Sequence, residues 1–346
     1  MSKSLDNIKR IAILRLSALG DVCMVVPVIR TLQKALPQAH ITWFISRPAY
    51  DLVKGLDGVE FIVINKPRNP LDYLKLRKQL KNARFDVLLA MQAALRTNLI
   101  YPFINAPIKI GFDNARARDG QRWFTNVQIP FAKQHLMDSF LSFAEELGIT
   151  EKIIEWKLPL SNDDREWAKQ ILPEGDGPLL VINPAASKSE RNWPAKRYSK
   201  IIELMHQRGV RIVLTGGPHP VEKALIDDIK QQLDFSVSDL SGQTSPKQLA
   251  ALLELADCVL APDTGPVHMA VALNTPVVGM YAVAPAWLSG PYLQREIAID
   301  KYDEAVVTIL KKDPATVPWG TRVHSMDAMA LISVAEVEEA LLQVLF

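Results

Sequence analysis

The chain has 346 residues, 48% of them hydrophobic, with 40 Lys and Arg against 38 Asp and Glu and a formal net charge of +2. That length suits two α/β domains better than one core. Two cysteines, both in apolar runs, exclude a disulfide framework, and no apolar run approaches the ~20 residues of a membrane span. Met1–Arg10 is polar and has no secretory h-region, so the expectation is a soluble cytoplasmic protein. The small net charge hides an asymmetry. Residues 1–160 hold 23 Lys and Arg against 14 Asp and Glu, a net +9, while residues 161–346 hold 17 against 24, a net −7. The first half is therefore expected to meet something anionic.

Ile11–Leu14 reads as a short buried strand, followed by the tight turn Arg15-Leu16-Ser17-Ala18-Leu19-Gly20-Asp21. A helix follows with apolar residues at 22, 25, 26, 29, 32 and 36, the stripe of a core-facing helix, and Pro27 predicts a slight kink. Strand, glycine turn and helix open nucleotide folds, yet no G-x-G-x-x-G occurs anywhere, which argues against a dinucleotide site. Asp21 reads equally well as a helix N-cap. Alternation then continues: strands at Ile41–Ile45, Phe61–Ile64, Val87–Met91 and Ile108–Gly111, and helices at Pro48–Lys54 and Leu71–Ala83. Such βα units imply a parallel sheet with helices on both faces. Lys75, Arg77, Lys78, Lys81 and Arg84, beside Lys66 and Arg68, form a basic cluster suited to a solvated face or to an anionic membrane surface. Gly111–Arg118 places Arg116 and Arg118 just after a strand, where guanidinium forks suit carboxylate or phosphate. Gln134–Leu147 closes this half as an amphipathic helix.

The boundaries expected are residues 1–160 for the first domain, 161–178 for a linker, 179–325 for the second domain and 326–346 for a C-terminal helical segment able to pack back on the first. Strand Leu179–Ile182 empties into the polar loop 183–194, and a helix covers Ala195–His206. Strand Arg211–Leu214 leads to Thr215-Gly216-Gly217-Pro218 and a helix over 222–232. Helix Pro246–Leu255 feeds the strand Val259–Ala261, which breaks at Pro262. Asp263-Thr264-Gly265 then opens a helix, whose free backbone N–H groups at a positive dipole end suit a phosphate. Loops 183–193, 215–222 and 263–268 all follow strand C-termini, and in an open parallel sheet those ends line one crevice.

On these motifs the chain resembles the glycosyltransferase family 9 heptosyltransferases over nearly its whole length. They are Arg-Leu-Ser-Ala-Leu-Gly-Asp at 15–21, Asn-Pro-Ala-Ala-Ser…Arg-Asn-Trp-Pro at 183–194, Gly-Gly-Pro at 216–218, Leu-Ser-Gly-Gln-Thr at 240–244 and Asp-Thr-Gly-Pro-Val-His at 263–268. The resemblance implies an α/β GT-B architecture, two Rossmann-like parallel-sheet domains facing across a cleft, and an inverting enzyme with no metal and no cofactor. No Asp-x-Asp pair is present to hold a divalent ion under a diphosphate. It implies ADP-heptose as donor and a Kdo-lipid A acceptor at an anionic inner-membrane surface. Asp21 matches the family's general base. Ser187, Arg191, Asp263, Thr264, Gly265 and His268 match the donor phosphate loops, Glu222 the ribose acceptor and Thr244 the nucleoside loop. Ser17, Arg96 and Arg118 match the acceptor side. Two departures stand out: Arg191 replaces a lysine usual in heptosyltransferases I, and Ala186 stands where some members carry a hydroxyl.

Other readings are weaker. A GT-B-like sugar-nucleotide epimerase needs the donor crevice but no lipid-facing basic surface. A transferase acting on a later core sugar, or with another nucleotide sugar, shares every motif above. A dehydrogenase lacks its glycine fingerprint, and a hinge-closing periplasmic binding protein lacks its signal peptide. Nucleic-acid binding lacks aromatic residues between the basic ones.

Overall fold

Runs of four to six apolar residues without polar alternation belong to strands covered on both faces, and here they build two all-parallel sheets. The computed structural model describes residues 5–65 and 67–346, so Lys66 of the basic cluster lies outside the described residues. The chain divides into two units, Met1–Pro159 and Leu160–Phe346, with one sheet in each.

The first unit runs β1 (Arg10–Leu14), α1 (Leu19–Ala35), β2 (His40–Ile45), α2 (Arg47–Val53), β3 (Val59–Val63), α3 (Pro70–Leu80) and β4 (Val87–Ala90). It continues with the single turn α4 (Leu95–Asn98), β5 (Ile108–Gly111), β6 (Val127–Gln128) and α5 (Leu136–Glu145). Its sheet order is β3-β2-β1-β4-β5-β6. The order reverses between β1 and β4, and such a switch point opens a crevice at the C-terminal ends of the strands. Leu76 and Leu80 of α3 and the ring of Tyr101 pack with Leu14, Phe44 and Leu88 in one core cluster. Helix α1 packs with α5 and runs unbroken through Pro27. Trp156 Nε1 donates to the Cys23 carbonyl of α1 at 3.0 Å and ties the end of the unit to that helix.

The second unit repeats the plan after α6 (Asn162–Gln170). The elements are β7 (Leu179–Ile182), α7 (Ala195–Gln207), β8 (Arg211–Leu214), α8 (Pro220–Lys230), β9 (Ser238–Asp239), α9 (Pro246–Leu255), β10 (Cys258–Pro262) and α10 (Gly265–Ala272). They end with β11 (Val277–Tyr281), α11 (Ala286–Ser289), β12 (Ile299–Asp300), α12 (Tyr302–Ala305) and α13 (Val334–Leu345). Sheet order β12-β11-β10-β7-β8-β9 reproduces the first unit's order strand for strand, with the reversal between β7 and β10. Both cysteines are buried, and burial pushes each thiol up to about 12, which leaves them as packing groups.

Two segments differ from the sequence expectation. Residues 161–178 do not form a linker throughout: Ser161 caps α6 through a reciprocal bond with Asp164, and Arg165 forks onto Glu254 of α9 at 2.6 and 2.9 Å. The Asp-rich stretch is a helix start that favours the positive dipole end, with only Ala168 fully buried beneath it. Helix α13 packs within its own unit. Val337 and Leu341 enter the second core, beside Ile201 and Met205 of α7. The edge strands β6, β9 and β12 are two residues each and carry no apolar run, so they were not foreseen. Among the described residues no helix is long and apolar enough to cross a membrane.

Trp193, at the end of the polar loop after β7, is fully buried, meets Tyr198 edge to face at 5.1 Å and donates through Nε1 to the Ile332 carbonyl at 2.9 Å. Truncation removes both contacts. Trp193→Ala is expected to cost about 3–5 kcal/mol in the urea unfolding of the second unit.

Candidate functional site

At the first switch point β1 delivers Arg15 and α1 begins at Leu19. Asp21 is the third residue of α1, not its N-cap: Ala18 caps it, and the Ala18 N–H donates to Asp21 Oδ2 at 3.1 Å. The Arg15 guanidinium forms an ion pair with the same Oδ2. Arg15 is itself fixed by donating from Nη1 to the Met91 carbonyl at 2.6 Å and by lying 5.2 Å from the centroid of Phe140. The Leu16 N–H donates to Gln92 Oε1 at 2.8 Å, so the turn is anchored across the reversal between β1 and β4. Both contacts to Asp21 go to one oxygen. Among the described residues Oδ1 carries no hydrogen bond and remains available to a ligand hydroxyl. Sequence reasoning quoted Arg15 only as part of a motif. Its role shows only when the turn brings it back onto the start of α1.

Ser17, half-buried, lines a cavity of about 830 Å³ with Ser46, Arg47, Asn65, Arg68 and Lys75 among its walls, at the C-terminal ends of β1, β2 and β3. Arg96 and Arg118 are both exposed and are brought to neighbouring turns. Asn98 Nδ2 donates to the Arg118 carbonyl at 3.0 Å and to the Asp119 carbonyl at 2.9 Å, and the Leu95 N–H donates to Asp119 Oδ2 at 2.9 Å. Arg116 does not share that exposure. Its side chain is only 2% accessible, pairs with Asp113, and donates to Ser139 Oγ and to the Pro130 carbonyl at 2.7 Å. Of the two arginines expected to reach an anion, Arg118 alone faces solvent.

In the second unit the polar loops gather at the β7/β10 reversal. Asn183 N donates to the Leu260 carbonyl at 3.0 Å, Asn183 Nδ2 to the Ala185 carbonyl at 2.9 Å, and Ala186 N to Asn192 Oδ1 at 2.8 Å. This knits loop 183–193 onto β10. Arg191 Nη1 lies 3.3 Å from both the carbonyl and Oδ2 of Asp263. Arg191 Nε is buried with no hydrogen-bond partner, an orphan donor at the strand ends. Ser187 is exposed on the same loop. Thr264 precedes α10 without capping it through its side chain, so the first turn keeps backbone N–H capacity for an anion. Gly265 opens that helix, and His268, 9% accessible, lies in its first turns.

Glu222 sits in the first turn of α8 and accepts the Gly217 N–H at 2.6 Å. A side chain at 217 would place Cβ 2.9 Å from Glu222 Oε1, so a larger residue there would push that carboxylate aside. The Gly242 N–H donates to the Gly216 carbonyl at 2.8 Å and brings the loop bearing half-buried Thr244 alongside. Behind these loops, burial and the charges of Asp263 and Asp300 push the Tyr281 hydroxyl well above its ordinary range, against the opposing pull of Arg191. Burial likewise raises the Asp300 carboxyl. Among the described residues no three His, Cys, Asp or Glu side chains cluster to hold a metal.

Two parallel sheets in 3-2-1-4-5-6 order, one carrying a polar carboxylate turn and the other an anion-suited edge, are the α/β architecture of the GT-B class. The model of "Glycosyltransferase family 9 (heptosyltransferase)" matches residues 73–314, and the chain belongs to that family. It is 34% identical over 331 residues to the lipopolysaccharide core heptosyltransferase OpsX of Haemophilus influenzae, covering 95% of each chain. Its fold matches a family 9 glycosyl transferase from Veillonella parvula with a TM-score of 0.80 at 22% identity, over 99% of both chains. The Escherichia coli heptosyltransferase WaaC with ADP superposes with a TM-score of 0.71 at 20% identity, over 96% of this chain and 99% of that one. The same enzyme with ADP-2-deoxy-2-fluoro heptose gives 0.66, with the same identity and coverage.

The contrast between the two arginines is measurable. Asp113→Ala strands a buried guanidinium and is expected to cost about 3–5 kcal/mol in urea unfolding, whereas Arg118→Ala stays within about 0.5 kcal/mol of the parent.

Proposed function

We propose that this heptosyltransferase of the lipopolysaccharide core moves L-glycero-D-manno-heptose from ADP-heptose onto Kdo of a lipid-linked inner core. The reaction inverts the anomeric centre, needs no metal and takes place at the cytoplasmic face of the inner membrane. The observation that carries the donor half is Arg191: a half-buried guanidinium whose buried Nε is unused, beside the uncapped start of α10. That arrangement supplies positive potential for a diphosphate. The 34% identity to OpsX supports the lipopolysaccharide core as the acceptor class, and the two WaaC complexes support ADP-heptose as the donor.

In this reading the acceptor oxygen attacks the anomeric carbon as the bond to the diphosphate breaks, and the electron pair leaves with ADP. Asp21 takes the hydroxyl proton at Oδ1, the oxygen left unbonded when Arg15 and the Ala18 N–H hold Oδ2. One in-line displacement inverts configuration. Arg191, Ser187 and the first turn of α10, with Thr264 and Gly265, stabilise charge on the departing phosphates. Asp263 holds Arg191 in place, His268 borders the same turn, Glu222 meets the ribose and Thr244 the nucleoside. Ser17, Arg96 and Arg118 serve the anionic acceptor, where guanidinium forks suit carboxylate or phosphate.

Incubation with ADP-heptose and de-acylated Kdo-lipid A in EDTA tests the reading. ADP released only when acceptor is present supports it, and no release from a folded, ADP-binding protein overturns the donor or acceptor assignment. Asp21→Asn is expected to lower kcat by about 10²–10⁴-fold while ADP affinity stays unchanged, because the donor loops belong to the other unit. A normal rate would remove Asp21 as the base. Arg118→Ala should raise the acceptor KM far more than the donor KM, and equal effects on both would mean a structural role instead.

A further inference from the structure

The first unit carries an apolar patch that the chemistry above does not use. On α3, Tyr73, Leu76 and Leu80 turn inward onto the core. The opposite stripe, at spacings of three and four, runs Leu71, Leu74, Lys78 and Lys81, with the leucines 66% and 56% accessible. Tyr73 Oη donates to the Arg96 carbonyl at 3.1 Å, which brings α4 alongside with Leu95 and Leu99 exposed. The bond from the Leu95 N–H to Asp119 adds the next turn, where the ring of Trp123 stands against Gly120. Trp123 is 86% accessible, the highest among the exposed large hydrophobic residues of the described chain. Five apolar side chains thus occupy three elements bonded in series.

The surroundings are cationic. Arg77, Lys78, Lys81, Arg96 and Arg122 are exposed, and none of them enters an ion pair among the described residues. A groove of about 300 Å³ beside α3 adds Lys109 to Arg77 and Lys81. Solvent-facing Trp and Leu ringed by unpaired Lys and Arg match the two contributions of interfacial binding, apolar insertion and attraction to anionic headgroups. A nucleic acid would use the cations but leave four exposed leucines in water.

We propose that this face, formed by α3, α4 and the 119–123 turn, docks on an anionic lipid bilayer. Trp123, Leu71, Leu74, Leu95 and Leu99 enter the headgroup region, and the cations meet lipid phosphates. The choice of a bilayer as partner rests on the lipid-linked acceptor proposed above. The apolar and charge pattern stands independently of it.

Co-sedimentation of the full chain with phosphatidylglycerol/phosphatidylethanolamine vesicles, against phosphatidylcholine alone, tests the proposal. The parent is expected to bind the anionic vesicles, less so as salt rises, and not the neutral ones. Lys78→Gln with Lys81→Gln should lower partitioning roughly 25-fold, and Leu74→Ser with Trp123→Ser at least about tenfold. Both double variants should keep ADP affinity and turnover on the de-acylated acceptor, which shows that they fold. Failure of the parent to bind anionic vesicles, or unchanged binding by either variant, overturns the docking face. So does binding of single-stranded RNA that competes with vesicles and depends on the lysines but not on Trp123. Failure of ADP release from the soluble acceptor counts against the reaction and leaves vesicle binding to be judged separately.

Discussion

A parallel sheet covered on both faces leaves one edge at which a chain can place several polar groups together. All the strands of each sheet run the same way, so every exit turn emerges at the same end. The reversal in strand order then separates neighbouring turns and leaves room for a ligand. Both units obey this constraint with the same strand order. In each, an arginine near the exit of the first strand pairs with an aspartate at the start of a helix: Arg15 with Asp21, and Arg191 with Asp263. In each pair the arginine Nε is buried and unpaired, so part of the guanidinium's hydrogen-bonding capacity is unused. The fold thus repeats one electrostatic device, once in each unit.

A third pair shows what burial changes. Arg116 and Asp113 have side chains only 2% and 8% accessible, and Ser139 and the Pro130 carbonyl take further guanidinium N–H groups. That pair holds the turn after β5 in shape. The edge pairs keep 12–23% accessibility and can exchange a protein contact for a ligand contact. The chemistry of the side chains is the same in all three, and access to solvent is what differs.

Much of the scaffold is legible in the residues alone. Apolar runs such as Leu179–Ile182 and Val87–Ala90 can only be doubly covered strands, and the structure places them within a residue of expectation. Two-residue edge strands have no such pattern, because pairing on one side needs no apolar run. The start of α6 is legible in Asp163-Asp164 and α13 in its amphipathic stripe, but neither pattern names what the helix packs against. At the site, the loops at 183–193 and 263–268 were readable from their position after strands. The different fates of Arg116 and Arg118 were not. They depend on Ser139 and Pro130, more than ten residues away, and on which side of one turn each residue falls. Arg15's hold on Asp21 was likewise invisible, since it depends on the tightness of the intervening turn.

The bond from Trp193 to the Ile332 carbonyl spans 139 residues of chain. Arg197 reaches the carbonyls of Ala330 and Ile332 from the same side. Loop 183–193 is thus seated by a segment that lies beyond β12 in the chain. Contacts of such long sequence separation carry a large loop-closure cost and form slowly. During refolding, loop 183–193 is therefore expected to reach its native seat later than the helices, which rest on local contacts.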